Sequence, residues 1–358
     1  MWTDICTYYL HKKSHILCTF KDINDCFYLI FQNYCGLMEN RKIITYDFIK
    51  DQIINEIRGI FYDDIKHFLD RLNKRDLILI SQTRNTLQIW NFKNWECIIE
   101  LKDINNNIGA LYSSCIINDK NNNYIITSCL NWSNNSSEPI KIYNFEGKFI
   151  KELNESKLAV LHLDTFFDSK LSKNFIIACS RGCIKAYDYN ENILYKIFSD
   201  GAVEESDGNR YIDFCIRENN ETTELISSIS STYNGKIRIW DFHKGELINK
   251  IKIKTKEISG IFLWQNKYLY VGCDNLIKKV DLKDNTYIEI EGHVKIPLSI
   301  SLINHPKYGE FLISGGFDDI IIWKNNNSKF EIQKMIYRPP SVGGIKIHSK
   351  NPSAGFLA

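Results

Sequence analysis

The sequence of 358 residues is poor in proline and lacks both a long apolar run and an excess of one charge. Six prolines leave no proline-rich linker, and no apolar run reaches the roughly 18 to 20 residues that cross a bilayer as a helix. Basic residues number 45 and acidic residues 43, so the formal net charge is +2. A protein that binds nucleic-acid backbones usually shows a clear basic excess. We therefore expect neither a membrane span nor a nucleic-acid partner.

We also expect no secretory leader, because residues 1–10 lack a basic start and a sustained apolar segment. This predicts an intracellular protein, cytoplasmic or nuclear. The most basic stretch, residues 250–256, alternates lysine mainly with isoleucine. Such alternation favours a strand with one solvated face, and a site for a polyanion is the alternative.

Signatures of catalysis and of metal binding are absent as well. The eleven cysteines form no C-x-x-C pair, and the eight histidines form no zinc-binding pattern. The sequence contains neither a phosphate-binding glycine-rich loop nor a G-x-S-x-G motif. Cysteines such as Cys129, Cys179 and Cys273 stand in apolar strand sequences and are expected to be buried as small hydrophobes. The prediction is a protein without a metal, a cofactor or an enzymatic activity.

What the sequence does contain is a two-residue mark that recurs seven times at intervals of 40 to 53 residues. Each mark ends a short apolar or alternating run, and its first residue is usually aromatic. The seven marks are Tyr46-Asp47, Trp90-Asn91, Tyr143-Asn144, Tyr187-Asp188, Trp240-Asp241, Val280-Asp281 and Trp323-Lys324. A period of this length with this ending is typical of a repeat built from one four-stranded sheet.

The fifth repeat shows the plan most clearly. It predicts strands at residues 211–216, 225–230, 236–240 and 247–251, and Asn234-Gly235 provides a tight turn between the second and third. The predicted fold class is therefore all-β, a seven-bladed β-propeller of four-stranded antiparallel blades. Helical periodicity is nearly absent, and residues 63–75 are the one segment predicted to hold a helical turn.

We expect one domain over residues 1–338 and an irregular tail over residues 339–358. A propeller must close its ring, and residues 1–10 are one candidate for the closing strand. Residues 330–336 also suit the outer strand of the last blade, so the sequence leaves this choice open.

These features resemble the WD-repeat β-propellers over roughly residues 10–337. The last repeat matches best, with Gly292-His293, Ser314, Asp318 and Trp323. In that family a His, Ser, Asp and Trp form a hydrogen-bonded chain within a blade, and the resemblance implies this network here. Trp90 and Trp240 would be the equivalent tryptophans of two other blades, and His67 is a candidate partner before Trp90. Gly-His occurs only once, so most blades are expected to depend on apolar packing.

The resemblance also implies a binding surface on the upper face, beside the channel mouth. The residues expected to project there are Arg84, Arg181, Tyr233 and Phe317. Arginine and aromatic residues are enriched in interface hot spots. Trp132, in an insertion rich in Asn and Ser, is a further candidate. The alternatives are scattered surface residues for the four, and a tryptophan folded back on the blade edge for Trp132.

The expected function is a non-catalytic WD-repeat scaffold or adaptor that binds protein partners within a complex. One alternative is a substrate receptor of a ubiquitin ligase, although the arginine that often follows the mark in such receptors is missing. Another is a propeller that docks to phosphoinositide membranes, although the Phe-Arg-Arg-Gly run of that subtype is also missing.

Overall fold

The computed structural model describes most of the repeat region and part of the tail. The described residues are 17–33, 42–47, 49–58, 64–82, 86–102, 109–119, 122–131, 136–137, 139–153, 160–180, 182–199, 210–219, 221–230, 235–316, 319–326, 329–337 and 346–349. They belong to two units, one comprising Met1–Phe61 and Ser259–Ala358 and the other Tyr62–Ile258.

The unit of Tyr62–Ile258 contains four antiparallel sheets, here called blades two to five. Blade two is β5 (Asp64–Asp70), β6 (Arg75–Gln82), β7 (Thr86–Asn91) and β8 (Glu96–Leu101). Blade three is β9 (Gly109–Asp119), β10 (Asn122–Asn131), the short β11 (Ser136–Ser137), β12 (Ile140–Asn144) and β13 (Phe149–Leu153). Blade four is β14 (Val160–Asp168), β15 (Lys173–Ser180), β16 (Ile184–Asp188) and β17 (Ile193–Phe198). Blade five is β18 (Arg210–Glu218), β19 (Thr223–Ser230), β20 (Gly235–Asp241) and β21 (Leu247–Ile253).

The other unit contains blades one, six and seven. Blade one is β1 (Leu17–Lys21), β2 (Phe27–Asn33), β3 (Lys42–Asp47) and β4 (Gln52–Arg58). Blade six is β22 (Ile258–Trp264), which begins at the unit boundary, β23 (Tyr268–Cys273), β24 (Leu276–Asp281) and β25 (Tyr287–Glu291). Blade seven is β26 (Pro297–His305), β27 (Gly309–Gly316), β28 (Asp319–Asn326) and β29 (Lys329–Tyr337), with β30 (Lys346–Ser349) paired to β29.

Every blade has four strands that pair in chain order, apart from the added β11 and β30. The seven sheets that the described residues form confirm the predicted fold class, a seven-bladed all-β propeller. Residues 330–336 lie in β29 and pair with β28. Residues 1–10 lie outside the described residues, so how the ring closes and where the domain ends stay predictions.

The helical turn predicted over residues 63–75 is wrong. Residues 64–70 form β5, which pairs with β6 along its whole length, and residues 71–74 form the turn between the two strands. Local propensity is a weak signal that tertiary pairing overrides. Here the ladder to β6 supplies the backbone partners that a single helical turn could not.

The apolar core lies between neighbouring sheets of each unit. In β6 the run Leu77 to Ile80 is buried on both faces, which explains why the second strands are continuous apolar runs rather than alternating ones. Between blades two and three the core joins side chains from both sheets, such as Leu79 and Ile125. Cys129 belongs to this cluster, in the packing role that the sequence predicts.

The first residue of each mark coincides with a β-bulge in six of the seven blades. Pairing between the third and fourth strands shifts by one residue just before the aromatic residue, so the outer strand carries one extra residue there. Blade six shows no such shift, and its mark begins with Val280 instead of an aromatic residue. The extra residues are Ile54, Ile98, Ile150, Tyr195, Ile248 and Gln333.

The second residue of the mark holds the turn that follows. In blade five the Asp241 carboxylate accepts hydrogen bonds from the backbone N–H groups of His243 and Lys244, at 3.0 and 2.9 Å. The Asp or Asn side chain of the five other blades that have one bonds its turn in the same way. This side-chain turn explains why Asp and Asn recur at this position.

Candidate functional site

The five residues that the sequence predicts on the upper rim lie outside the described residues. They are Arg84, Arg181, Tyr233, Phe317 and Trp132. The rim therefore stays a prediction.

The fold brings His293, Ser314 and Trp323 of the predicted blade-seven network within hydrogen-bonding distance. The Trp323 indole N–H donates to Ser314 Oγ at 2.8 Å, and Ser314 Oγ lies 2.6 Å from His293 Nε2. The other imidazole nitrogen, Nδ1, lies 3.0 Å from Asp319 Oδ1. Asp319 thus supplies a carboxylate to this network among the described residues. The sequence predicts Asp318 for this role, and Asp318 lies outside the described residues, so that prediction stays open.

These distances define one consistent chain of donors. Because the Asp319 carboxylate only accepts, His293 donates to it from Nδ1, and the neutral tautomer that does so accepts at Nε2 from the Ser314 hydroxyl. Ser314 Oγ in turn accepts from the Trp323 indole. All four side chains are buried, so each bond satisfies a polar group that water does not reach.

The conformation and surroundings of Gly292 explain why the Gly-His pair begins with glycine. Its φ is +154°, a conformation that residues with a side chain rarely adopt. A Cβ at this position would lie 2.5 Å from Cη2 of Trp323 and 3.1 Å from Cδ1 of Ile332. Only glycine lets the chain pass this close to the indole that the network holds.

The two other predicted tryptophans have different partners. Trp240 is buried and donates its indole N–H to Ser227 Oγ at 3.0 Å, which matches the Trp–Ser bond of blade seven. Trp90 is half-buried and donates to Gln88 Oε1, at 3.2 Å, in its own strand. His67, the predicted partner before Trp90, lies 2.8 Å from Asp76 on β6.

A groove of about 530 Å³ lies between blades two and three. Its apolar lining consists of Leu72, Ile98, Ile99, Tyr124, Phe145 and Ile150. Ile98, Ile99, Tyr143 and Phe145 pack on the core between the two sheets, so the floor of the groove continues that core. The volume is within the range of sites that hold a small ligand or one or two side chains.

Two of the lining residues reach the groove because of the bulges. Ile98 and Ile150 are the extra residues in the outer strands of blades two and three. A bulge bends its strand and re-aims the unpaired side chain. Ile150 and Leu72 remain 45% and 44% exposed, which leaves apolar surface open to a ligand.

The polar side of the groove is organised by Asp70, which is fully buried at the end of β5. Its carboxylate accepts from Asn73 Nδ2 at 2.8 Å, from Arg75 Nε at 2.9 Å and from Asn123 Nδ2 of blade three at 3.0 Å. All three donors line the groove. Burial alone would raise the pKa of Asp70, but the hydrogen bonds outweigh it and lower the pKa below its usual value.

The blade-three side is shaped by the turn after Asn144. Asn144 Oδ1 accepts from the Lys148 N–H at 2.8 Å, and the Gly147 N–H bonds to the Asn144 carbonyl at 3.0 Å. Gly147 has φ of +78°, and a Cβ there would lie 2.8 Å from Leu101 Cδ2. The turn therefore requires glycine, and it places Phe145 and Glu146 at the groove.

The charges around the groove are unequal on its two sides. The turn of blade two carries Arg71, Lys74 and Arg75, and the first two are exposed. Neither makes a hydrogen bond or ion pair with the residues that the structure describes. Arg75 bonds Asp70 through Nε alone, and its two Nη groups have no partner in the described chain. The blade-three side contributes the exposed carboxylate of Glu146.

A separate polar cluster joins the first strands of blades two, three and four. Lys66 Nζ donates to the Leu163 carbonyl at 2.7 Å and lies 3.4 Å from both Ser113 Oγ and Asp64 Oδ2. Burial alone would lower the pKa of Lys66, but the carboxylates of Asp64 and Asp164 outweigh it and raise the pKa. The amine stays charged and bridges successive strands. Within the described ranges, no group of His, Cys, Asp and Glu is arranged to hold a metal ion.

The sequence signals missed the groove, because its two sides come from different repeats. Asp70 and Asn123 are 53 residues apart, about one repeat, and nothing local links them. The one usable signal was the basic turn of residues 71–75, which the helical interpretation obscured.

Comparison with known structures supports the propeller fold. No protein-family model and no curated protein matches the sequence. Among solved structures, the crystal structure of the computationally designed Ika8 protein is similar, with a TM-score of 0.61 and 12% identity. The match covers 94% of this chain and 96% of that one. Among the described residues, the structure contains no helix long and apolar enough to cross a membrane.

Proposed function

We propose that this protein is a non-catalytic scaffold of the WD-repeat class that binds a partner protein. The WD-repeat assignment is supported by Gly292, His293, Ser314 and Trp323, which the fold joins in one buried network. The binding role is supported by the propeller fold, which is suited to presenting surfaces from rigid blades.

The observation that carries the proposal is the groove between blades two and three. It combines an open apolar surface with polar groups that buried Asp70 already holds in place. A site that is ordered before its ligand arrives loses less entropy on binding. This arrangement is therefore favourable for capturing part of another protein.

The predicted rim would be a second contact surface, at the opposite end of the blade strands from the groove. The turn from β5 to β6 borders the groove, and the chain continues to β7 from the other end of β6. One scaffold could then hold two partners at once, one at each end of its strands.

Affinity purification with mass spectrometry from the native cell tests the proposal. Three forms are compared: the wild type, a groove variant (Leu72→Asp with Ile150→Asp) and a rim variant (Arg84→Ala, Tyr233→Ala and Phe317→Ala). We expect the wild type to retain a defined set of proteins and at least one variant to lose part of it, with unchanged thermal unfolding. Retention of no protein by the wild type, or of the same set by all three forms, would reject the scaffold function.

The same experiment separates the alternatives. Recovery of cullin or adaptor subunits would indicate a receptor of a ubiquitin ligase. Sedimentation with vesicles that contain phosphoinositide, in the absence of any protein partner, would indicate membrane docking instead.

A further inference from the structure

We propose that the groove between blades two and three binds an extended acidic segment of a partner protein. A large apolar side chain of that segment would occupy the floor, and an adjacent carboxylate would pair with Arg75. The proposal rests on the scaffold function and adds to it the chemistry of the partner.

The apolar half of the proposal follows from the exposed surface of the groove. Leu72 and Ile150 line it, and both are close to half exposed, while its other apolar residues Ile98, Ile99 and Phe145 pack on the core. Covering them with one leucine- or phenylalanine-sized side chain would remove apolar area from water on both partners. An extended segment can insert one such side chain while its backbone runs along the surface.

The acidic half follows from the blade-two turn. Arg75 is held by Asp70 through Nε, so its two Nη groups form a fork directed away from that bond. A carboxylate can accept two hydrogen bonds from such a fork, which is stronger and more specific than a single contact. Arg71 and Lys74 add two exposed positive charges next to it, and neither has an acidic partner in the described chain.

The buried carboxylate of Asp70 does not fully neutralise the positive charge of the blade-two turn. It orients Arg75, which makes the site selective for a carboxylate. Asp70 balances one positive charge of the turn, which leaves two in excess among Arg71, Lys74 and Arg75. The lowered pKa of Asp70 keeps it ionised, so Arg75 stays fixed in one orientation. A fixed guanidinium needs little reorganisation to meet a carboxylate.

Glu146 gives the bound segment a direction. It is exposed on the blade-three side, where it would repel a second carboxylate. The acidic residues of the partner should therefore lie over the blade-two turn, with the apolar residue between them and Glu146. A neutral or basic residue is expected at the other end.

Selection from a phage-displayed library of random peptides of about twelve residues tests the proposal on the full-length protein. The targets are the wild type, a charge variant (Arg71→Glu with Lys74→Glu) and a matched control (Lys283→Glu with Lys329→Glu). Arg71, Lys74, Lys283 and Lys329 are all exposed, so neither double variant should disturb folding. We expect the wild type and the control to enrich peptides with a large apolar residue next to Asp or Glu, and the charge variant to lose that enrichment.

One enriched peptide is then synthesised and its affinity is measured by fluorescence anisotropy. Replacing its acidic residues with lysine should weaken binding about tenfold, and Leu72→Ser should weaken it for both peptides. The proposal would be overturned if the wild type enriched no peptides with an acidic residue next to an apolar one. It would also be overturned if the charge variant selected the same peptides, or if the two synthetic peptides bound with equal affinity. Competition by anionic vesicles as strong as by the peptide would also overturn it, in favour of a lipid headgroup. The scaffold function would survive these failures if the rim variant still loses partners from cells.

Discussion

Two buried carboxylates, Asp319 in blade seven and Asp70 in blade two, each anchor a hydrogen-bonded network, and the two networks serve different ends. Asp319 is 4% exposed and bonds His293, which leads through Ser314 to Trp323 within a single blade. Asp70 is fully buried, yet the side chains that bond it line a surface groove and come from two blades.

The difference shows how similar chemistry supports stability in one place and a binding surface in another. In blade seven every member of the network is buried, so its bonds act only on the fold. In blade two the carboxylate is buried while its donors present their other atoms to solvent. Breaking the first network should mainly reduce stability, whereas breaking the second should also disturb what the groove can bind.

The largest effect is expected at Gly292, which lies against the blade-seven network. Gly292→Val would place a branched side chain against the Trp323 indole at a strained φ, so the free energy of unfolding should fall by about 3 kcal/mol or more. Gly309→Ala is the control, because Gly309 has φ of +84° with no atom near its Cβ position, and should cost only about 1 kcal/mol. Urea unfolding followed by tryptophan fluorescence compares the two. Equal losses would show that the Trp323 contact is unimportant.

The next effect is expected from Ser314→Ala, which leaves the Trp323 N–H and His293 Nε2 without partners. Each unsatisfied buried group costs stability, so a loss of about 2 to 3 kcal/mol is expected. Ser227→Ala removes the Trp240 indole bond and a second bond, from Ser227 Oγ to the Arg238 carbonyl, in blade five. Because that second bond is long, at 3.5 Å, the change should cost about half as much. Thermal and urea unfolding of both variants measure the difference. A Ser227→Ala variant as unstable as Ser314→Ala would contradict the added role of His293.

A smaller and pH-dependent effect is expected from Asp70→Asn. The folded pKa of Asp70 is lowered, so its carboxylate stabilises the fold above its unfolded pKa of about 4, and this contribution is lost as the pH falls through the folded value. At pH 7 the variant should be less stable than the wild type by about 1 to 2 kcal/mol, and the gap should narrow below about pH 4.

Unfolding midpoints measured from pH 7 to pH 3 test this, with the exposed turn residue Asp25→Asn as a control that should change little. A gap that stays constant with pH would mean that the loss at Asp70 does not arise from its charge. In the same variant, binding of the acidic peptide should weaken, because an amide has one accepting oxygen and cannot replace the carboxylate that Arg75 and Asn123 share.

The smallest effect is expected from Trp90→Phe. Trp90 is half-buried, and among the described residues its indole bonds Gln88 of its own strand, so the change should cost less than about 1 kcal/mol. Trp323→Phe, which cuts the blade-seven chain, should cost more than this. Thermal unfolding of the two variants makes the comparison. Similar losses would show that packing of the indole, rather than its N–H bond, sets the stability of both blades.

The sequence predicted those features that repeat along the chain. The spacing of the two-residue marks was sufficient to predict the sheets and their strand order, because each repeat forms its own local hairpins. In the blade-seven network the sequence identified His293, Ser314 and Trp323. It did not single out Asp319, whose carboxylate meets the imidazole, because two adjacent aspartates occur in the sequence and either could approach a histidine. The role predicted for Asp318 stays a prediction.

The groove could not be predicted in the same way. Its anchor Asp70 gains a partner from the next blade only after two sheets have packed, and its floor depends on bulges that displace Ile98 and Ile150. Alternation along a strand predicts which face a side chain occupies only while the pairing stays regular.

The extra residue in each bulged outer strand also bears on how this chain tolerates deletions. Removing Ile248 would convert the outer hairpin of blade five into the unbulged pairing that blade six already has, and the remaining side chains would keep their faces. Removing one residue from β25 would instead reverse the faces of every residue beyond it. The six bulged blades can thus lose one residue from the outer strand while the remaining side chains keep their faces of the sheet. Blade six, which has no bulge, cannot.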